Sequence, residues 1–291
     1  MTQNIACTDA TLIPSLDGVI VAMHDFRGTG SPILLSHATG FHAHCWEPMA
    51  EILSNHHHVM GFDHRGYGDA ETVDPTNIEW LQYGHDALAA ARYLSAQHGG
   101  KPIVGVGHSM GGASLLMASL IEPELFSALF VFEPIVFPPT PENEERPANP
   151  LAGGARKRRS TFTSFEAALE NFTAKPPMAS FHPVAREAYV RHGFKPNEHG
   201  EVELKCLPEH EARTYETGGT HGTWSDLAKI TNRVWVISGA PAPYQPSSFA
   251  IKVAENIQNS TYVQYDEMGH FGPLEHPAQI ASLIENTIAT F

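Results

Sequence analysis

The sequence is poor in cysteine and in positive charge, and each scarcity excludes a class of protein. It contains three cysteines, Cys7, Cys45 and Cys206, at wide spacings and with no C-x-x-C pair. An odd and scattered set argues against a disulfide framework in a chain long enough to build its own core. Lysine and arginine total 18 against 32 aspartate and glutamate residues, so the formal net charge is −14. Such a chain lacks the basic surface of a nucleic-acid-binding protein, and an anionic membrane would repel it.

Long apolar runs are missing as well. No stretch of about 18 apolar residues occurs, which is the length needed to span a bilayer. The segment from Met1 to Asp17 has neither a basic start nor a long apolar run, so it lacks the pattern of a signal peptide. We therefore expect a cytoplasmic protein that acts on a small molecule, with no nucleic-acid or membrane partner and with a homodimer as an open alternative.

Short apolar runs alternate with helical patterns through the first half of the chain and again near its end. Strand patterns cover residues 19–23, 32–36, 58–62, 102–106, 128–132, 234–238 and 260–265, and helical patterns cover 45–53, 78–97, 113–121, 247–257 and 277–288. The strand patterns are continuously apolar, as expected for strands buried on both faces. This rhythm predicts an α/β fold with a mostly parallel central sheet and helices on both faces. Thr76 or Asn77 is expected to cap the second helix.

The alternating rhythm breaks in the middle of the chain. There the sequence is rich in proline, glycine, charge and isolated aromatic residues, with helical patterns at 164–172 and 184–191. We therefore predict a core made of residues 1–134 and 227–291, with residues 135–226 inserted as a largely helical cap.

The strongest functional signal is Gly107-His108-Ser109-Met110-Gly111, a G-x-S-x-G pattern between a strand pattern and a helical pattern. A sharp strand-to-helix turn places the serine Oγ in the open, in a strained backbone conformation. A Cβ at either glycine position would clash across that turn, which explains their spacing. The helix N-terminus and the N–H of Met110 then point at any anion that forms on a substrate.

In this turn and in three further motifs the sequence resembles the α/β-hydrolase superfamily. Residues 36–41 are similar to its His-Gly-X oxyanion loop, although Ala38 replaces the usual glycine. Residues 62–68 are similar to its D-x-R-G-x-G turn, and residues 268–271 to the segment that holds its catalytic histidine. The resemblance implies an α/β-hydrolase fold with a cap, in which Ser109 is the nucleophile.

The resemblance also implies roles for residues outside the turn. His270 would be the general base, because it follows the last strand pattern. The N–H groups of Met110 and Thr39 would form the oxyanion hole. If the loop is shifted by a residue or two, Gly40 or Phe41 would take the place of Thr39.

The acid of the catalytic triad departs from the common pattern of the superfamily. Most members carry an aspartate shortly after the seventh strand, but residues 238–244 contain no carboxylate. Some members place the acid at the end of the sixth strand, where this chain has Glu133. A charged glutamate at the end of a buried strand is costly unless it is paired, and the ring of His270 is the expected partner. Otherwise Glu133 would be a solvent-facing carboxylate at the rim, and Asp266 or Glu267 would be the fallback acid.

These roles predict a serine hydrolase that cleaves a carboxylic ester or a lactone through an acyl-enzyme. Phe41, Trp46 and Tyr244 are expected to form apolar walls around the substrate. The basic run from Arg156 to Arg159 is either a solvated helix face or a contact for an anionic substrate. Activity should rise between about pH 5 and 8 as His270 loses its proton.

Other functions stay open on the same residues. A C–C bond hydrolase or a cofactor-free oxygenase would use the histidine–acid pair without acylating Ser109. A small-ligand receptor could retain the triad but would turn over slowly. A scaffolding protein is disfavoured, because it has no use for a strained turn.

No cofactor or metal ion is predicted, although the chain contains 18 histidines. Successive residues of the triplet 56–58 would point to opposite faces of a strand, so they do not bind one ion easily. His37, His42 and His44 lie close in sequence, but no H-E-x-x-H pattern occurs and His37 has a place in the oxyanion loop. Metal dependence is therefore not expected.

Overall fold

Most of the strand patterns identified in the sequence correspond to strands of the fold. A computed structural model describes residues 10–141, 144 and 148–291, so Cys7 and the rest of residues 1–9 lie outside the described part. The described residues contain eleven strands: Thr11–Pro14 (β1), Ile20–Asp25 (β2), Ser31–Ser36 (β3), His57–Asp63 (β4), Ile103–His108 (β5), Phe126–Phe132 (β6), Thr161–Phe162 (β7), Phe194–Pro196 (β8), Val202–Leu204 (β9), Val234–Ser238 (β10) and Ser260–Gln264 (β11).

Eight of these strands form one sheet, in the order β1-β2-β4-β3-β5-β6-β10-β11. Neighbouring strands from β4 to β11 run parallel, whereas β2 is antiparallel to both β1 and β4. The mostly parallel sheet predicted from the sequence is confirmed. All six residues of the central strand β5 are buried. Because the carboxyl ends of parallel strands share one edge, the residues that follow β5, β6, β10 and β11 are brought near one another.

Helices cover both faces of this sheet. The described residues contain eleven α-helices: Glu47–Leu53 (α1), Trp80–Gln97 (α2), Met110–Ile121 (α3), Pro150–Lys157 (α4), Phe165–Thr173 (α5), Pro183–Gly193 (α6), Pro208–Thr217 (α7), Thr223–Asp226 (α8), Ser247–Glu255 (α9), Gly272–Glu275 (α10) and Pro277–Ile288 (α11). Helices α2, α3 and α9 pack in one core cluster with Leu34 of β3, while α1 and α11 pack in a second with Ile33 and Leu35. Successive strand residues thus enter opposite cores, as the two-residue period requires.

The starts of α2 and α3 differ from the sequence prediction by two and three residues. The prediction that Thr76 or Asn77 caps α2 is wrong. Thr76 lies instead in a short 3-10 turn and donates its N–H to Asp74. Helix α2 begins at Trp80 behind a capping box between Glu79 and Gln82. Helix α3 begins at Met110 directly after the turn, three residues before its predicted start.

The inserted segment contains helices α4 to α8 and also a small antiparallel sheet in the order β7-β9-β8. Its aromatic side chains form a third cluster that includes Phe162, Phe181 and Tyr189. Phe41 and Leu274, from outside the insertion, belong to the same cluster. The division into core segments 1–134 and 227–291 and a cap at 135–226 stays a prediction.

The basic run that ends α4 is joined to acidic residues of α7. The Arg156 guanidinium contacts the carboxylates of Glu209 and Glu216, and Arg158 contacts Glu211. The Arg156 contacts are well exposed to solvent, so each contributes little to stability. Arg156 and Arg158 therefore contact the acidic side chains of α7 and are not a free basic face.

The structure adds two observations on the expectations drawn from composition. Cys45 and Cys206 are buried with free thiols. Within the described residues, no helix combines the length and the apolar character that a membrane crossing requires.

Candidate active site

The turn between β5 and α3 holds Ser109 in a conformation that side chains rarely adopt. Its φ is 57° and its ψ is −114°. A Cβ on Gly107 would lie 2.6 Å from the backbone of Gly111, and a Cβ on Gly111 would lie 2.1 Å from the carbonyl oxygen of Ser36. Glycine is therefore required at both positions, at Gly107 because of the expected clash across the turn and at Gly111 because of the end of β3.

His270 and Glu133 meet Ser109 at the carboxyl edge of the sheet. The Nε2 atom of His270 lies 3.2 Å from the Ser109 Oγ. On the other side of the ring, the Nδ1 atom lies 2.7 Å from Oε2 of Glu133. The three predicted side chains thus form one continuous hydrogen-bonded relay, in which the carboxylate orients the ring and the ring faces the hydroxyl.

Glu133 is fully buried, and both of its oxygens have partners. Oε2 accepts from His270, and Oε1 accepts the N–H of Gly239 at 2.9 Å. Gly239 follows β10, the position where most members of the superfamily carry the acid. A Cβ on Gly239 would lie 2.2 Å from the carbonyl oxygen of Met268. Glycine is therefore required at the position whose N–H reaches Glu133. These contacts offset the cost of burying the carboxylate.

The fallback acids are engaged elsewhere. Asp266 accepts a hydrogen bond from Gln264, and Glu267 accepts one from Gln279. Both contacts are exposed to solvent. Glu133 is therefore the acid that the structure brings to His270.

His108 is a contributor that sequence reasoning missed. It is buried, and its Nε2–H donates to the carbonyl oxygen of His270 at 2.7 Å. Burial, together with the neighbouring His270, holds the pKa of His108 well below its usual range, so the ring stays neutral. This contact ties the segment that carries His270 to the end of β5. Its only sequence signal is adjacency to Ser109, which does not reveal the partner.

The predicted oxyanion loop lies against the start of α3. Met110 is the first residue of α3, and an N–H at that position has no acceptor inside the helix. Across from it, the N–H of Phe41 donates to the carbonyl oxygen of Ala38 at 3.2 Å. That bond engages the Phe41 N–H within the loop, so Thr39 and Gly40 are the remaining candidates for the second donor.

His37 fixes the path of the oxyanion loop. Its Nδ1–H donates to the carbonyl oxygen of Ala38 at 2.9 Å, and its Nε2 accepts the N–H of His64 at 3.1 Å. Burial, reinforced by the neighbouring His64, lowers the pKa of His37 to about 3, so the ring is neutral near pH 7. A neutral ring with one donor and one acceptor suits both contacts.

The three predicted pocket residues occupy different surroundings. Phe41 lies beside aromatic rings of the insertion, with ring centroids 5.8 Å from Phe181 and 5.6 Å from Tyr189. Trp46 instead packs inside the second core cluster and is 2% exposed, which corrects its assignment as a pocket wall. Tyr244 is 96% exposed, and a side chain so open to solvent does not wall an enclosed site.

Comparisons with known proteins identify the family of the chain. Residues 33–283 match the sequence profile described as the alpha/beta hydrolase family. The chain is 27% identical to the monoglyceride lipase of Homo sapiens over 138 residues, which is 46% of each chain, so less than half of that relative is matched.

Solved structures are similar over nearly the whole chain. An E-2-(acetamidomethylene)succinate hydrolase superposes with a TM-score of 0.78 at 18% identity, covering 96% of this chain and 98% of the other. A peroxisomal alpha-beta-hydrolase from Saccharomyces cerevisiae superposes with a TM-score of 0.78 at 17% identity, covering 97% and 84%. At these identities the likeness concerns the fold alone.

Proposed function

The chain belongs to the alpha/beta hydrolase family, and from that premise we propose that it is a serine hydrolase that cleaves a carboxylic ester or a lactone. The observation that carries the proposal is the relay of Glu133, His270 and Ser109, with contacts of 2.7 Å and 3.2 Å. A buried carboxylate that orients an imidazole toward a strained serine is the arrangement that acyl transfer needs.

In the proposed mechanism His270 accepts the proton of the Ser109 hydroxyl while Oγ attacks the substrate carbonyl. Glu133 holds the Nδ1–H tautomer and stabilises the imidazolium that forms. The N–H of Met110, with that of Thr39 as the predicted second donor, receives the oxyanion. His270 then protonates the leaving group, and water releases the acyl group from Ser109 by the same steps in reverse.

The turn also limits the chemistry. Haloalkane dehalogenases and epoxide hydrolases need a carboxylate nucleophile to form their ester intermediate, and this turn carries Ser109 instead. The ring centroids of Phe41, Phe181 and Phe271 lie within 6 Å of one another, and that of Phe271 lies 5.3 Å from the His270 ring. We propose that these rings bind an aromatic or medium-sized apolar part of the substrate.

A covalent serine probe tests the proposal. Intact mass after treatment with a fluorophosphonate should show one adduct on the wild-type protein and none on Ser109→Ala. Labelling of Glu133→Gln should be slowed greatly, because its His270 loses the carboxylate partner. Ser127→Ala is the matched control, since this exposed serine of β6 is outside the relay and its loss should leave labelling unchanged.

A panel of aryl esters and lactones follows the labelling. Turnover that is lost in Ser109→Ala would place the substrate in the proposed class. A folded wild-type protein that forms no adduct would overturn the acyl-enzyme mechanism. Ester turnover that persists in Ser109→Ala would do the same, because the histidine–acid pair would then activate water directly.

A further inference from the structure

A second group of histidines and carboxylates lies where α1 meets α6, and the proposed reaction does not use it. His44 precedes α1, Glu47 is its first residue, and His192 lies in the last turn of α6. The Oε1 atom of Glu47 is 2.8 Å from Nδ1 of His44 and 3.6 Å from Nε2 of His192. These three potential ligand atoms all lie within 4.8 Å of one another.

A hydrogen-bonded chain supports His44 from behind. Its Nε2 lies 3.1 Å from Nδ1 of His24, and Nε2 of His24 lies 2.8 Å from Oδ2 of Asp63. Asp63 is held in turn by the N–H groups of Ala43 and Asp69. Each carboxylate or ring in this chain is therefore oriented by a fixed neighbour.

When the His24 and His44 rings are both neutral, they carry too few N–H groups to supply one donor to each contact of this hydrogen-bonded series. If His44 donates to Glu47 and His24 donates to Asp63, the contact between the two rings contains no hydrogen. A cation on Nδ1 of His44 would leave its Nε2–H free to donate to His24, and each ring contact would then have one donor. This is the arrangement common in metal sites, where a ligating histidine donates its other N–H to a polar partner.

From this geometry we propose that His44, Glu47 and His192 bind a divalent transition-metal ion of the zinc type, which ties α6 of the insertion to α1. Two imidazole nitrogens and one carboxylate oxygen are ligands that Zn²⁺ prefers, with further positions left for water. The Glu47 and His192 side chains are 25% and 28% exposed, so an ion can reach them from solvent.

The Glu47 carboxylate is the negative charge within the ligand set. Behind the three ligands lie the carboxylates of Asp63 and Asp69, and the Lys205 ammonium is paired with Asp69.

Coordination by both histidines requires one local change. Their rings stack with centroids 3.7 Å apart and an angle of 12° between planes. An ion in the plane of one stacked ring lies out of the plane of the other, so the half-exposed His192 ring must rotate out of the stack. Metal binding should therefore replace a ring–ring contact by an ion-mediated one.

The sequence prediction of no metal weighed His44 together with His37 and His42. In the structure His37 holds the oxyanion loop, and His42, whose ring centroid lies 6.2 Å from that of His44, donates to the carbonyl oxygen of Tyr189. The other two proposed ligands, Glu47 and His192, are three and 148 residues away from His44 in the chain. Only the fold shows that they converge.

Calorimetric titration of untagged, chelator-treated protein with Zn²⁺ at pH 7 tests the proposal. Wild-type protein should bind one ion per chain, in the low micromolar range or tighter. His192→Gln and Glu47→Gln should each weaken binding at least about tenfold, and His24→Gln, which alters only the support, about 10- to 100-fold. His199→Gln is the matched control, because this exposed histidine of the insertion has a glutamate neighbour but no third ligand.

Two further measurements keep the test independent of any one variant. At a Zn²⁺ concentration about 100-fold above Kd, the Tm of the wild-type protein should rise by about 5 °C, and that of His192→Gln should not. Co²⁺ added to the wild-type protein should give the visible absorption bands of a four-coordinate site. No binding to wild-type protein, or equal affinity in His192→Gln, would overturn the proposal.

Discussion

Two histidine–carboxylate pairs in this molecule are nearly identical in local geometry. They differ in the group that faces the second nitrogen of the histidine. His270 contacts Glu133 at 2.7 Å, and His24 contacts Asp63 at 2.8 Å. Both carboxylates are 1% exposed. The second nitrogen of His270 faces the Ser109 hydroxyl, whereas that of His24 faces another imidazole, His44.

The comparison teaches that a buried pair alone does not make a catalytic site. The His270 side chain is 23% exposed and next to a nucleophile, so a proton can move between the ring and a bound substrate. The His24 side chain is 3% exposed, and Asp63 also accepts two backbone N–H groups. The first pair therefore suits the proposed reaction, and the second contacts backbone groups of neighbouring segments.

The largest expected difference between the pairs is in kcat. Glu133→Gln should lower kcat by about 10⁴-fold, because the amide no longer fixes the tautomer or stabilises the imidazolium. Asp63→Asn should leave kcat within about tenfold but lower the free energy of unfolding by about 3–5 kcal/mol, since it breaks a buried pair. Ester hydrolysis and urea unfolding measure the two effects. A folded Asp63→Asn protein with kcat reduced as far as that of Glu133→Gln would contradict the division.

The pH dependence of stability gives the next largest contrast. Burial lowers the pKa of His37 to about 3 and that of His210 to about 4, so the unfolded chain takes up their protons first. Each should therefore cost up to about 1.4 kcal/mol of stability per pH unit as the pH falls below about 6.5. Burial opposes the charge on His24 as well, but the Asp63 carboxylate outweighs it and raises the pKa.

His24 therefore acts in the opposite direction. Its stabilisation is fully present below about pH 6.5 and is lost as the pH rises through its raised pKa. The wild-type protein should lose stability between pH 7 and 5, because the lowered histidines outnumber it, and His24→Gln should lose more over the same interval. Urea unfolding at pH 7, 6 and 5 measures both. A stability independent of pH in this interval would be incompatible with neutral buried histidines.

The smallest effect concerns the two aromatic residues predicted at the pocket. Phe41→Ala should lower kcat/KM for an aryl ester by about 10- to 100-fold, which corresponds to roughly 1.4–2.8 kcal/mol of lost apolar contact. Tyr244→Ala should change it by less than about twofold, because that ring is exposed. Thermal unfolding of both variants separates lost binding from lost stability. Equal effects would show that Phe41 lies no nearer to the substrate than Tyr244 does.

The sheet and its helices could be predicted well where the apolar pattern agrees with residues, such as proline, that mark the start or end of an element. The bounds of β10 and α11 match the sequence prediction to the residue, with a continuous apolar run in one and a proline at the start of the other. Strand β1 was missed because only one of its four side chains is buried. Helix α7 was missed because its buried side chains include His210, Glu211 and Thr214, which give no apolar stripe.

The side chains of the candidate site could be predicted from the sequence, whereas its backbone contacts could not. Ser109, His270 and Glu133 each follow a strand pattern, and parallel strands bring such positions to one edge. The N–H of Gly239 and the contact of His108 with a backbone carbonyl could not be predicted, because backbone partners leave no residue signature. Trp46 lies at the expected spacing but faces the core, since spacing alone does not define a helix face.

The placement of the acid on β6 rather than β10 has a mechanical consequence. The Ser109 N–H donates to the carbonyl oxygen of Phe132, and the Ile135 N–H donates to that of Ser109, so two backbone bonds bracket Glu133. Strands β5 and β6 are adjacent, so one gap of about 4.8 Å separates them, whereas β10 is two gaps from β5. When the sheet widens on warming, the distance between Ser109 and Glu133 therefore grows by the change in one gap between strands rather than in two.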